Sequence, residues 1–176
     1  MSFWEHLRRA LEHVMDSIMA RIWGIRESEE SWALTLEKLI NWAKRLLDKV
    51  KEIALRLEKM RDEYRKLAKR LIGEGKELYL SLIQGLAKLE ESVHEGIKKT
   101  EEPIEFLESL DRMALPDEEA LERMRELFYE VREFILEHFF IANDFRAISP
   151  VQAALGGLKA HARGFQAPIM GSGKLG

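Results

Sequence analysis

Between Trp32 and Leu71 the apolar residues return in unbroken steps of four and three: Trp32, Leu36, Leu39, Ala43, Leu46, Val50, Ile53, Leu57, Met60, Tyr64, Leu67 and Leu71. Such a repeat keeps one stripe on one side of an α-helix, and a seam this long specifies packing against another helix, as in a coiled coil. It predicts a helix over 28–72, capped by Ser28 with Glu29 and Glu30 favourable in its first turn. At 1.5 Å per residue the seam is about 60 Å long, so it needs a partner along its length.

The same reading yields the other elements. Phe3, Leu7, Leu11, Val14, Ile18 and Ile22 predict an amphipathic helix over 3–23 that Gly24 terminates. The stretch Gly73-Glu74-Gly75 offers a turn. After it, Leu78, Leu82, Leu86, Leu89, Val93 and Ile97 predict a helix over 76–100, a shorter antiparallel arm that covers part of the long one. Pro103 opens a helix over 103–114, and Pro116 and Asp117 open another over 117–142. The latter has an aromatic face of Phe128, Phe134, Phe139 and Phe140 that can cover the rest of the long arm. Ser149, Pro150 and Gln152 form a capping box for a last helix to about Ala162, with an extended tail after it.

No strand-like alternation and no internal repeat is visible. The expected fold is all-α: an elongated helical bundle with one long heptad-patterned helix, a shorter antiparallel arm, and a C-terminal helix plus extended tail. The bundle is expected to span 1–145, and residues 146–176 form a basic, small-residue segment.

Composition narrows the function classes. The 176 residues suffice for one well-buried domain, and 34% charged with 46% apolar residues suits a folded chain. With no cysteine, disulfides, thiolate metal sites and cysteine nucleophiles are excluded. Glu5, Arg8, Arg9, Glu12 and Asp16 interrupt any leader-like apolar run, so no signal peptide is expected. The most apolar stretch, FILEHFFIA, is too short to span a bilayer. A soluble protein of the cytoplasm or of a virion is therefore expected. Abundant Glu, Lys, Arg and Leu without cysteine points to a thermophile.

Charge is segregated. Residues 1–37 carry 4 basic and 7 acidic side chains, residues 38–70 carry 12 and 5, and residues 71–145 carry 8 and 19. Residues 146–176 carry four basic side chains, Arg146, Lys159, Arg163 and Lys174, and no acidic ones. Pairing of basic and acidic helices inside one bundle accounts for much of this pattern. It does not account for the basic tail, which has no carboxylates near it in sequence and is the better candidate for an anionic partner.

No catalytic chemistry emerges. The stretch GSGK at 171–174 looks like the end of a phosphate-binding loop, but Pro168 stands where that motif needs glycine and Leu175 where it needs Ser or Thr. Glu91 and His94 have the Glu-x-x-His spacing of di-iron bundles, which need a second such pair. The other histidines, His6, His13, His138 and His161, have no glutamate three residues before them. No catalytic residue, metal, cofactor or small-molecule substrate is expected, and an enzyme is the least supported class. In the first helix, Trp4, Met15, Met19 and Trp23 lie beside the apolar face. Its mixed polar side, with Glu5, Glu12 and Asp16 among Arg8, Arg9 and Arg21, favours burial against protein over a membrane surface.

In the last segment, Ala153 and Gly157, then Gly156 and Ala160, stand four apart and permit close helix approach. Two helical glycines cost about 1–2 kcal/mol against alanine, so a close neighbour is expected to offset them. Self-association is assigned to Ala153, Gly156, Gly157 and Ala160, and to Trp32, Leu36, Leu39 and Leu46 of the long seam. Arg146, Lys159, Arg163 and Lys174 are assigned to contacts with a neighbouring subunit or with nucleic acid.

A basic helical arm followed by an acidic half resembles, in charge order, the ESCRT-III-type membrane-remodelling polymers. That resemblance, of charge order only, implies a polymer acting on membranes; in this chain residues 3–23 are the segment that would make the contact. The leading expectation is a non-catalytic structural subunit of a self-assembling complex, such as a virion, capsid or filament protein. Nucleic-acid binding by a helical protein and ESCRT-III-like membrane remodelling are the alternatives.

Overall fold

The computed structural model describes residues 3–140. Among the described residues there are four α-helices and no strand: α1 (Phe3–Trp23), α2 (Trp32–Ala68), α3 (Glu74–Ser109) and α4 (Glu118–Ile135). A 3-10 turn occupies Ile25–Glu27 and a π-helical turn Leu136–Phe140. The chain is an all-α helical bundle, as its periodicity requires. It divides into two compact units: one built from the described residues through Glu52 with His94–Leu136, the other from Ile53–Val93 with the described residues from Glu137 onward.

In the first unit, Leu11, Ile18 and Ile22 of α1 are buried together with Leu36, Leu39 and Leu46 of α2, Leu107 of α3, and Leu121 and Met124 of α4. Helix α1 packs on α4. Met15, Ile18, Leu46, Phe128 and Val131 line a void of only about 10 Å³ where α1, α2 and α4 meet. The Trp32 indole N–H donates to the Asp111 carbonyl at 2.8 Å, and Lys44 pairs with Glu108 at 3.6 Å. In the second unit, Leu57, Met60 and Tyr64 of α2 are buried with Tyr79, Ile83 and Leu86 of α3. The Tyr64 and Tyr79 rings lie 5.9 Å apart, tilted at 46°. Burial, with the nearby Glu63 charge and Tyr79 adding, pushes the Tyr64 phenol up to about 12.

Local chemistry explains the element ends. The Gly24 N–H closes the last turn of α1 on the Ala20 carbonyl at 3.2 Å. Helix α2 starts later than position 28 because Ser31, not Ser28, caps it. The Ser31 hydroxyl accepts from the Leu34 N–H at 3.3 Å, whereas the Ser28 hydroxyl accepts from the Glu30 N–H inside the loop at 3.1 Å. The end of α2 tightens as the Arg70 and Leu71 N–H groups bond carbonyls three residues back. The chain then reverses at Gly73, whose φ of 71° lies in the left-handed region that glycine adopts without a Cβ clash.

Two features of α3 differ from the pattern expected of 76–100 and 103–114. First, Pro103 does not start a helix; it lies inside one. An internal proline removes a backbone bond and costs about 3 kcal/mol. Pro103, Ile104 and Leu107 are buried in line with Val93, Gly96 and Thr100, and this continuous packing offsets the loss. The arm is therefore 36 residues long against 37 for α2. Second, the seam is rotated. Tyr79, Ile83, Leu86, Glu90 and Val93 are buried, while Leu78 is exposed and Leu82 and Leu89 are half-buried. Steps of four and three through Leu86 reach Glu90, which is only 6% exposed because the Arg61 guanidinium donates to its carboxylate at 2.8 Å.

Candidate functional surface

Helix α4 begins at Asp117, whose carboxylate accepts from the Ala120 N–H at 2.8 Å, a cap that fixes where the following turns point. Leu121, Met124, Phe128, Val131 and Ile135 then face the core. That phase leaves Glu122, Glu126 and Glu130 exposed at intervals of four residues, one helical turn apart. Beside this acidic rail, Arg125 and Tyr129 border α1. The Arg125 guanidinium sits 4.4 Å from the centre of the Trp23 ring and pairs with Glu118 and Glu122 at 3.5 Å each.

Trp23 is nevertheless 63% exposed and Tyr129 53% exposed. With Met19 they line an open cleft of about 330 Å³ rimmed by the three rail glutamates. Aromatic faces beside carboxylates attract cations through the ring quadrupole and through direct charge. The cleft lies at the small end of the range for bound groups, enough for one or two side chains.

A second polar cluster is structural. Glu30 receives Lys38 and the Thr35 hydroxyl, the latter at 2.9 Å, and Arg21 of α1 at 3.0 Å. It thus ties the end of α1 to the start of α2. The Lys38 hydrogen bond first, then that of Thr35, holds the Glu30 carboxyl below its usual 4.5, with the Arg21 charge adding and partial burial opposing. A carboxyl held low stabilises the fold above its ordinary value, and that stabilisation is lost as pH falls through the lowered one. Glu30→Gln should therefore unfold at lower urea than the wild type at pH 7, with the gap narrowing below pH 4.5. Equal gaps at pH 7 and pH 3.5 would show that charge at Glu30 contributes nothing.

Arg146, Lys159, Arg163 and Lys174, and the small residues Ala153, Gly156, Gly157 and Ala160, lie outside the described residues. Trp32, Leu36, Leu39 and Leu46 are buried in the first unit. Their apolar surface is covered by the chain's own helices. Glu91 and His94 are both exposed. Among the described residues, no cluster of three or more His, Asp or Glu side chains is placed to hold a metal ion, and no helix is long and apolar enough to cross a membrane.

The Trp23–Tyr129 cleft was not singled out by periodicity, because its residues lie off the apolar stripes. Its signal in the sequence is an aromatic residue, Tyr129, set among glutamates four apart on the polar side of an amphipathic helix.

Comparison of the chain with protein-family models, curated proteins and solved structures finds no match.

Proposed function

We propose that this chain is a non-catalytic structural subunit that assembles with copies of itself, its basic segment 146–176 docking on acidic surface of neighbouring subunits. The observation that carries this reading is the charge segregation. Residues 71–145 hold 19 acidic against 8 basic side chains, while residues 146–176 hold four basic and no acidic ones. Among the described residues, ion pairs such as Arg61–Glu90, Lys44–Glu108 and Arg26–Glu118 draw some of these acids into the bundle. Opposed patches of this kind steer association and select partners.

Light scattering across a concentration series, with negative-stain microscopy, tests it. Concentration-dependent particles or filaments are expected. A strictly monomeric species at high concentration, with or without a polyanion, rules the assembly out.

A second reading follows from the same four cations: Arg146, Lys159, Arg163 and Lys174 contact nucleic-acid phosphates inside the assembly. Binding should then fall steeply with salt, and neutralising these residues should flatten the slope. Membrane remodelling through residues 3–23 is less well supported. Leu7, Leu11, Val14, Met15, Ile18 and Ile22 are buried in the first unit, which takes the main apolar stripe of α1 out of reach of a bilayer. Failure to sediment with anionic vesicles would remove that reading.

A further inference from the structure

We infer that the cleft between α1 and α4 is the seat for residues 146–176 of a second copy, with Lys159 and Arg163 as the inserted cations. The inference rests on the assembly reading above and adds the receiving site to it.

Three observations support this seat. The first is exposure of large aromatic surface: Trp23 and Tyr129 are each more than half exposed around one cleft, which Met19 also lines. The rest of the apolar stripe of α4, from Leu121 through Ile135, is buried, so the exposed aromatics are not an extension of the core. The second is that the protein already binds a cation here. Arg125 lies over Trp23 and between two carboxylates, which shows that this combination of ring and acid accommodates a guanidinium. Arg125 itself pairs with Glu118 and Glu122, and Arg123 with Glu126 at 3.6 Å on the exposed side of α4; Glu130 has no ion pair among the described residues.

The third is complementarity of charge and spacing. Glu122, Glu126 and Glu130 repeat every four residues, as do Lys159 and Arg163. Leu155 and Leu158 stand close to these cations in sequence, and no acidic residue occurs in 146–176 to oppose the rail. A nucleic acid cannot take this seat, because phosphates would meet the three glutamates. A basic, partly apolar peptide matches both the rings and the acids.

The test uses the full chain. Glu126→Lys/Glu130→Lys reverses the charge of the C-terminal half of the rail on an exposed face, and Tyr129→Ala removes the ring without a charge change. Each should weaken self-association at least ten-fold in sedimentation velocity at physiological salt, with circular dichroism showing unchanged helix content. Lys159→Glu/Arg163→Glu should weaken it alike. Mixing that variant with Glu126→Lys/Glu130→Lys should restore assembly, since each copy then offers a matched half.

If the wild type assembles and neither the rail nor the ring variant changes it, the seat is wrong while the assembly reading stands. If the wild type remains monomeric, the assembly reading fails and the second-copy seat with it. If both double variants weaken assembly but the mixture does not recover, the two sites act separately and the pairing is overturned.

Discussion

Leu46→Ala is expected to lower the free energy of unfolding by about 2–5 kcal/mol, the range for removing a fully buried leucine. Leu46 is 0% exposed and sits where Met15 and Ile18 of α1 meet Phe128 and Val131 of α4. The void already there, about 10 Å³, is at the lower limit for holding one water, so little slack exists for the walls to relax into. The truncation should therefore fall in the upper part of that range. Leu46→Met, which roughly conserves volume, should cost less than about 1.5 kcal/mol. Urea unfolding followed by helix content reads both. A loss under about 1 kcal/mol for Leu46→Ala would mean that α1, α2 and α4 do not close around this residue.

Arg61→Ala is expected to cost about 2–3 kcal/mol. Taking away the guanidinium leaves the Glu90 carboxylate, 6% exposed, without its charged partner, and stranding a buried charge is far worse than never having had the pair. The Arg61 side chain is itself a quarter exposed, which places the loss below the 3–5 kcal/mol seen for pairs removed from fully dry surroundings. Replacing both partners, as Arg61→Met/Glu90→Leu, should return stability to within about 1 kcal/mol of the wild type or above it. A polar pair at a seam position can also hold helices in one register, so the double variant is additionally expected to exchange amides faster in α2 and α3. A double variant as unstable as Arg61→Ala would show that the pair supplies net stability and not register alone.

These two positions also show how far residue order could be read. Leu46 belongs to the seam that starts at Trp32, and every seam residue through Tyr64 is buried, because a repeat of four and three is a property of one helix and needs no knowledge of its neighbours. The turn at Gly73 was legible for a similar reason, since a left-handed residue is a local demand that glycine meets. Glu90 was not legible. A carboxylate on a helix ordinarily marks the solvent side, and only Arg61, 29 residues away in sequence, makes its burial tolerable. Once Glu90 is counted as polar, the best apolar stripe moves to Leu78, Leu82 and Leu89, and the whole face of α3 is misjudged by part of a turn.

Pro103 and the α1–α4 cleft follow the same division. Local rules read a proline as a helix start, and the cost of keeping it inside α3 is met by burial of Ile104 and Leu107 against other helices. Trp23 looks, from its own helix, like one more aromatic at the edge of an apolar face. That it stays open, with Arg125 on one side of its ring, depends on where α4 lies across α1. Among the described residues, the sequence by itself determined the all-α class, the seam of the long helix and the reversal after it, and it fixes the sorting of charge into blocks. The tertiary structure alone decided the phase of α3, its passage through Pro103, which charges are paired, and which aromatic surface stays exposed. The physical reason is one of range: periodicity and turn chemistry act within a few residues, whereas the burial of a charge or the survival of a kink-prone turn depends on contacts between residues far apart in the chain.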